Sequence, residues 1–167
     1  QVSNQGEGNL SGESFYLYAI DGISDELLVI DPDDGNFSIV GDLGVDFTTI
    51  GSMDFNPMDG KLYANAGWDL YSIDLFSGHA TKVGSFPRSD GSPHISFDES
   101  GRMFVHYEES GVVQGSGYWY DSVNFTNEQS IGKPVSNLQS ILANEISVDG
   151  AIWSVDQQLN KLARSSS

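Results

Sequence analysis

The stretch IGSMDFNPMDGKLYANAGWDLYSIDLFSGHATKVGSF, residues 50–86, reads as four short β-strands separated by turns. MDF, LYA, LYSID and TKVGSF are apolar or alternating runs of the length and composition of strands. Asp59-Gly60 and Ser77-Gly78 fall between them. Such pairs favour hairpin turns, because glycine accepts the positive φ that these turns require.

Working outward, the same unit recurs. A second copy begins at Pro93 (PHISFDESGRMFVHYEESG…GYWYDSVNFTNEQSIGKPV) and a third at Asn144 (NEISVDGAIWSVDQQLNKLARSSS). The segment before Ile50, FYLYAIDGISDELLVIDPDDGNFSIVGDLG, matches the later part of a unit and lacks its opening. Three anchors align the copies. A turn dipeptide is followed two residues later by an apolar residue: Asp59-Gly60 then Leu62, Ser100-Gly101 then Met103, Asp149-Gly150 then Ile152. Strand ends carry aspartate at Asp21, Asp31, Asp74, Asp121 and Asp156. A β-branched residue plus glycine closes a unit at Val40-Gly41, Val83-Gly84 and Ile131-Gly132. From Gly60 to Gly101 and from there to Gly150 the period is 41 and then 49 residues, the range of propeller blades. No segment keeps a 3.6-residue period. The best helical candidate, VSNLQSILANEI (135–146), is read as a loop or single turn leading into a strand.

These repeats resemble β-propeller families of the NHL and YVTN type, and bacterial secreted repeats reading LYAID…LVVIDPxTG…VGxLG. The matching residues are Leu17–Asp21, Leu28–Gly35 and Ile39–Gly44, repeated at Leu62–Ala64, Leu70–Gly78 and Thr81–Gly84. The resemblance implies an all-β, β-propeller-like fold of about four blade units. It implies no activity, because propellers host many unrelated functions. The expected organisation is a polar tail at 1–14, available as an added strand, and a repeat domain at 15–167. Its units cover about 15–48, 49–90, 91–135 and 136–167. With strands lettered a to d, the units contribute three, four, four and three strands, so the chain starts and ends mid-blade. A short blade leaves an unpaired edge, which is a template for another strand.

The 167 residues carry 24 acidic and 7 basic side chains, a net charge of −17. This charge repels nucleic acid and anionic membrane surfaces. It also repels other copies, so close self-association requires salt, divalent cations or apolar seams. Cysteine is absent, which excludes disulfides, thiolate metal sites and cysteine nucleophiles. No run approaches the roughly 20 apolar residues of a membrane helix.

Catalytic patterns are missing: there is no Gly-x-Ser-x-Gly elbow, phosphate loop or HExxH, and the histidines are His79, His94 and His106 alone. In the a-strands, Ser52 and Asp54, His94 and Ser96, and Glu145 and Ser147 alternate with apolar neighbours. If these strands line a central axis, Asp54, His94 and Glu145 converge there on a metal or polar ligand, or simply form a solvated lining. The loop Asp31-Pro32-Asp33-Asp34-Gly35-Asn36 offers the carboxylates that Ca²⁺ takes, but it also sits where a c–d turn belongs. Sequons stand at Asn9, Asn36 and Asn124, which suits a glycosylated secreted chain. Trp68, Trp119, Trp153, Tyr118 and Tyr120 are blade core or sugar-stacking platforms.

The resulting expectation is a non-enzymatic extracellular structural protein. It needs no cofactor, takes Ca²⁺ at most as an accessory, and assembles with copies of itself, through its incomplete blade and termini, as a filament or sheath subunit. The alternative is a monomeric lectin-like or ligand-binding small propeller that recognises glycans.

Overall fold

The computed structural model describes residues 16–47, 50–88, 91–108, 116–132, 141–146, 151–156 and 161–165. All regular structure in them is β. The first sheet holds β1 (Leu17–Asp21), β2 (Glu26–Ile30) and β3 (Phe37–Asp42). The second holds β4 (Ile50–Asn56), β5 (Lys61–Ala66), β6 (Asp69–Ile73) and β7 (Ala80–Ser85). The third holds β8 (Ser92–Phe97), β9 (Met103–Glu108), β10 (Ser116–Tyr120) and β11 (Gln129–Gly132). The fourth holds β12 (Ile141–Ile146), β13 (Ile152–Asp156) and β14 (Lys161–Ser165). Each sheet is an antiparallel meander in chain order. The three, four, four and three strands follow the repeat, and the four sheets do not close into a ring among the described residues. The fourth unit opens earlier than its sequence anchor: β12 starts at Ile141, three residues before Asn144. The tail at 1–14 lies outside the described residues.

The closing motif of each unit marks a β-bulge. Leu27 and Leu28 pair with Gly41 and Ile39, leaving Val40 as the extra residue. Val83 is extra between Gly84 and Lys82, and Ile131 between Gly132 and Ser130. A bulge at the same place in three sheets adds local twist to each outer pair.

Alternation then sorts the faces. In the second sheet, Leu62, Ala64 and Ile73 face back toward the first and bury with Leu27, Leu43 and Phe47. Tyr63 and Leu70 face forward and bury with Ile95, Phe97, Val105 and Tyr120 of the third. Phe104 and Trp119 face forward again, onto Ile146 of the fourth. The molecule thus has one apolar seam per junction rather than a single central core. Close backbone approach is needed at two of them. Gly78, at φ 79°, abuts the Gly41 carbonyl, and a Cβ on Gly51 would collide with the Asn65 amide and the Pro93 carbonyl.

Candidate functional site

The inner strands of the second and third sheets, β4 and β8, are joined by side chains rather than by a backbone ladder. Ile95 N–H donates to Ser52 Oγ (2.6 Å) and Phe97 N–H to Asp54 Oδ2 (2.7 Å). Both pairs are 43 residues apart, about one repeat. Ser52 Oγ donates in turn to Asn65 Oδ1 (3.1 Å), and Asn65 Nδ2 donates to the Pro93 carbonyl (3.0 Å). His94 Nδ1 lies 3.1 Å from the Gly51 carbonyl; because a carbonyl only accepts, Nδ1 carries the proton.

This seam is where the sequence placed a convergent axial site. Asp54 points across the junction and accepts from Phe97 and Phe55. Burial pushes its carboxyl above the usual range, and the two N–H donors oppose that rise. His94 is level with Gly51, near the opposite end of the strand from the Asp54–Phe97 bond. Glu145, on β12, is paired with Trp153 of β13, and only its backbone is described. Among the described residues, no group of three or more His, Asp or Glu is placed to hold a metal. Asp54 therefore works as an inter-sheet acceptor in this arrangement, a role that alternation alone does not reveal.

His106 was not among the candidate site residues. His106 is paired in register with His94, their rings 6.4 Å apart, and it is fully buried with neither ring nitrogen hydrogen-bonded. Burial first, and the neighbouring His94 second, push its pKa down to about 4. It sits neutral in the third sheet.

The acidic loop is a closed turn. Gly35 N–H donates to the Asp31 carbonyl and Asp31 N–H to the Asn36 carbonyl, both at 2.8 Å. Asp31 Oδ1 accepts from Asp33 N–H, and both Asp34 oxygens accept from Asn36. The turn at Asp74–His79 repeats the plan, with Gly78 N–H on the Asp74 carbonyl and three donors on Asp74 Oδ1. Those bonds hold the Asp74 carboxyl below its usual range. Asn36 and Asn124 are exposed on turns between outer strands, and Asn9 lies outside the described residues.

The aromatics divide sharply. Tyr118 and Tyr120 bury against the second sheet and Trp119 against the fourth, so neither face of GYWYD is free. Trp68, at 41% exposure, is the tryptophan at the surface among those described, and nothing is described of the Trp153 side chain. At the rim, the Arg88 guanidinium lies 3.9 Å from the Tyr118 ring centroid and 2.6 Å from Glu128, which also accepts from Tyr120 Oη (2.8 Å).

What composition reasoning missed is a face. Leu17, Ala19, Leu28 and Ile30 share one side of the first sheet with Phe37 and Ile39. The first four are half-buried, while Phe37 and Ile39 are 64% and 56% exposed. None joins a buried cluster of described residues. The signal was legible in Leu27-Leu28-Val29-Ile30: a continuous apolar run belongs to a strand covered on both faces.

Comparison with known proteins fits this architecture. No curated protein matches the chain. A solved structure titled Crystal structure of Nidogen/Laminin Complex contains a chain that aligns with 89% of this one at 13% identity and a TM-score of 0.57. The present chain spans 55% of that chain's length, and the likeness supports a β-propeller-like repeat fold. A family model matches residues 7–96, more than half of the sequence. The chain belongs to the family described as Domain of unknown function (DUF4394).

Proposed function

We propose that this chain is a non-enzymatic structural protein of the extracellular space that self-assembles, as a filament or sheath subunit, through its incomplete blade and its termini. Its blade motifs are taken to be of the NHL and YVTN type. The observation that carries the reading is the apolar side of the first sheet. In the second sheet the counterpart of Phe37, Ala80, is buried against the first sheet, whereas Phe37 is 64% exposed, as is Ile39 beside it at 56%. A contiguous apolar patch of this kind marks an interaction surface.

The interior supports the same view. The polar groups at the seams, Ser52, Asp54 and Asn65, bond to backbone groups across or within the junction, as a scaffold requires. Size-exclusion chromatography with light scattering tests the proposal. Concentration-dependent growth beyond the monomer mass of 18.1 kDa is expected. A strictly monomeric species across salt and Ca²⁺ concentrations would overturn it.

A further inference from the structure

We infer that the second sheet carries a saccharide-binding site between its turns at 57–60 and 74–79, where a neutral sugar ring stacks on Phe76 and its hydroxyls meet Lys61, Ser72, Asp74 and Thr81. The site is separate from the apolar side of the first sheet, so the inference goes beyond self-assembly and does not depend on it.

The first argument comes from comparing the repeats. A depression of about 330 Å³ on the second sheet is lined by Gly60, Lys61, Ser72, Asp74, Phe76 and Thr81, among others. Ser72 pairs with Tyr63 on one side and Thr81 on the other. In the third sheet the same register position belongs to Trp119, between Phe104 and Gln129. There the indole fills the space, and the Arg102 guanidinium lies 4.6 Å from its ring centroid. Arg102 in turn holds the position of Lys61, directly after the turn glycine. In the first sheet the position of Ser72 is held by Val29. A serine where the neighbouring sheets place a tryptophan or a valine leaves the depression open.

The second argument is Phe76, which is 95% exposed beside that depression. The turn does not call for an aromatic residue there. The first sheet's turn has the same plan and places Asp33 two residues after Asp31, and the third sheet places Val123, packed against the core, two residues after Asp121. Three hydrogen bonds onto Asp74 Oδ1, one of them from the Phe76 N–H, fix the turn. The ring is thus presented on a preorganised support. Its apolar face matches the C–H side of a pyranose.

The third argument is the chemistry of the lining. The hydroxyls of Ser72 and Thr81 donate and accept, an ammonium only donates, and an ionised carboxylate only accepts. A sugar hydroxyl does both, so it uses all four groups. Arg102 is paired with Asp98 at 2.8 Å, whereas Lys61 makes no ion pair among the described residues and keeps its donors for a ligand. Lys61 and Asp74 offset each other, and the net charge of −17 repels anionic sugars. The ligand class is therefore neutral, and the volume lies at the lower end of the range of small-molecule sites.

The test titrates the full chain with cellotetraose, maltotetraose and tetra-N-acetylchitotetraose, with tetragalacturonate as the anionic control, followed by calorimetry or NMR chemical shifts. Saturable binding of at least one neutral probe is expected. Phe76→Asp, which copies the first sheet, and Ser72→Trp, which copies the third, should each weaken it at least about tenfold. Phe76→Tyr should retain it. Phe76 stands in solvent, so its variants keep the fold and decide the matter if Ser72→Trp does not; melting curves check this. The inference is overturned if no neutral probe binds, if tetragalacturonate binds more tightly than all of them, or if Phe76→Asp binds like the wild type. Such a failure leaves the self-assembly reading to its own light-scattering test.

Discussion

The carboxylate of Asp54 accepts the backbone N–H of Phe97 at 2.7 Å, across the junction between the second and third sheets. The bond closes a strand end that would otherwise leave a buried donor without a partner. Because Asp54 is largely desolvated, the acceptor matters more than the charge. Asp54→Ala should therefore lower stability by about 1–3 kcal/mol, the range for orphaning a buried donor. Asp54→Asn, which keeps a carbonyl oxygen in reach, should cost less. Chemical denaturation of the three proteins checks the order, and equal losses for Ala and Asn would refute the acceptor role.

His106 sets a pH dependence of definite sign. Its pKa is pushed from 6.5 down to about 4, so the unfolded chain binds the proton more readily than the folded one. Stability from this group is fully present above pH 6.5 and is lost as the pH falls toward 4. The gap allows a loss of up to about 3 kcal/mol. Asp54, with its raised pKa, acts in the opposite direction as it takes up a proton, and so blunts the fall. His106→Leu should flatten the profile between about pH 4 and 6.5 while leaving the acid limb below it. Melting temperatures across that range decide the matter, and an unchanged slope in the variant counts against it.

Glycine positions separate conformational strain from steric collision. Gly35 has φ 74° with open space where a Cβ would point, so Gly35→Ala pays only for the left-handed backbone, about 1–2 kcal/mol. Gly78 has φ 79° and also abuts the Gly41 carbonyl of the neighbouring sheet. Gly78→Ala is expected to cost clearly more, by a further 1 kcal/mol or about that, since backbone must move. Urea midpoints compare the two directly, and the reverse ranking would show that the junction is looser than its geometry.

Much of this arrangement was legible from local chemistry. Turn glycines such as Gly60 and Gly101 fall where strands end, and the alternation in Leu62-Tyr63-Ala64 separates two faces without reference to any distant residue. The closing pairs, such as Val83-Gly84, were visible as a repeat, but their meaning as bulges needed the pairing partner, because a bulge is a relation between two strands. The seam was harder still. Ser52 and Asp54 find their donors 43 residues away, and the same residue types in the same alternation suit a ligand site equally well. His106 was hidden for the converse reason: it stands in a strand beside Tyr107 and Glu108, and only the packing of the third sheet shows that it is removed from water.

Salt should strengthen assembly. Each copy carries a net charge of −17, and the repulsion between copies is long-ranged at low ionic strength, where the Debye length is about 30 Å at 0.01 M. The attraction between copies is short-ranged where it comes from burial of the apolar side of the first sheet. Raising the ionic strength to about 1 M shrinks the Debye length to about 3 Å, which removes the repulsion between whole molecules and leaves apolar contact nearly untouched. The dissociation constant, followed by sedimentation or light scattering, is therefore expected to fall by about tenfold or more over that range. A constant that rises with salt would mean that ion pairing, not apolar contact, dominates the interface.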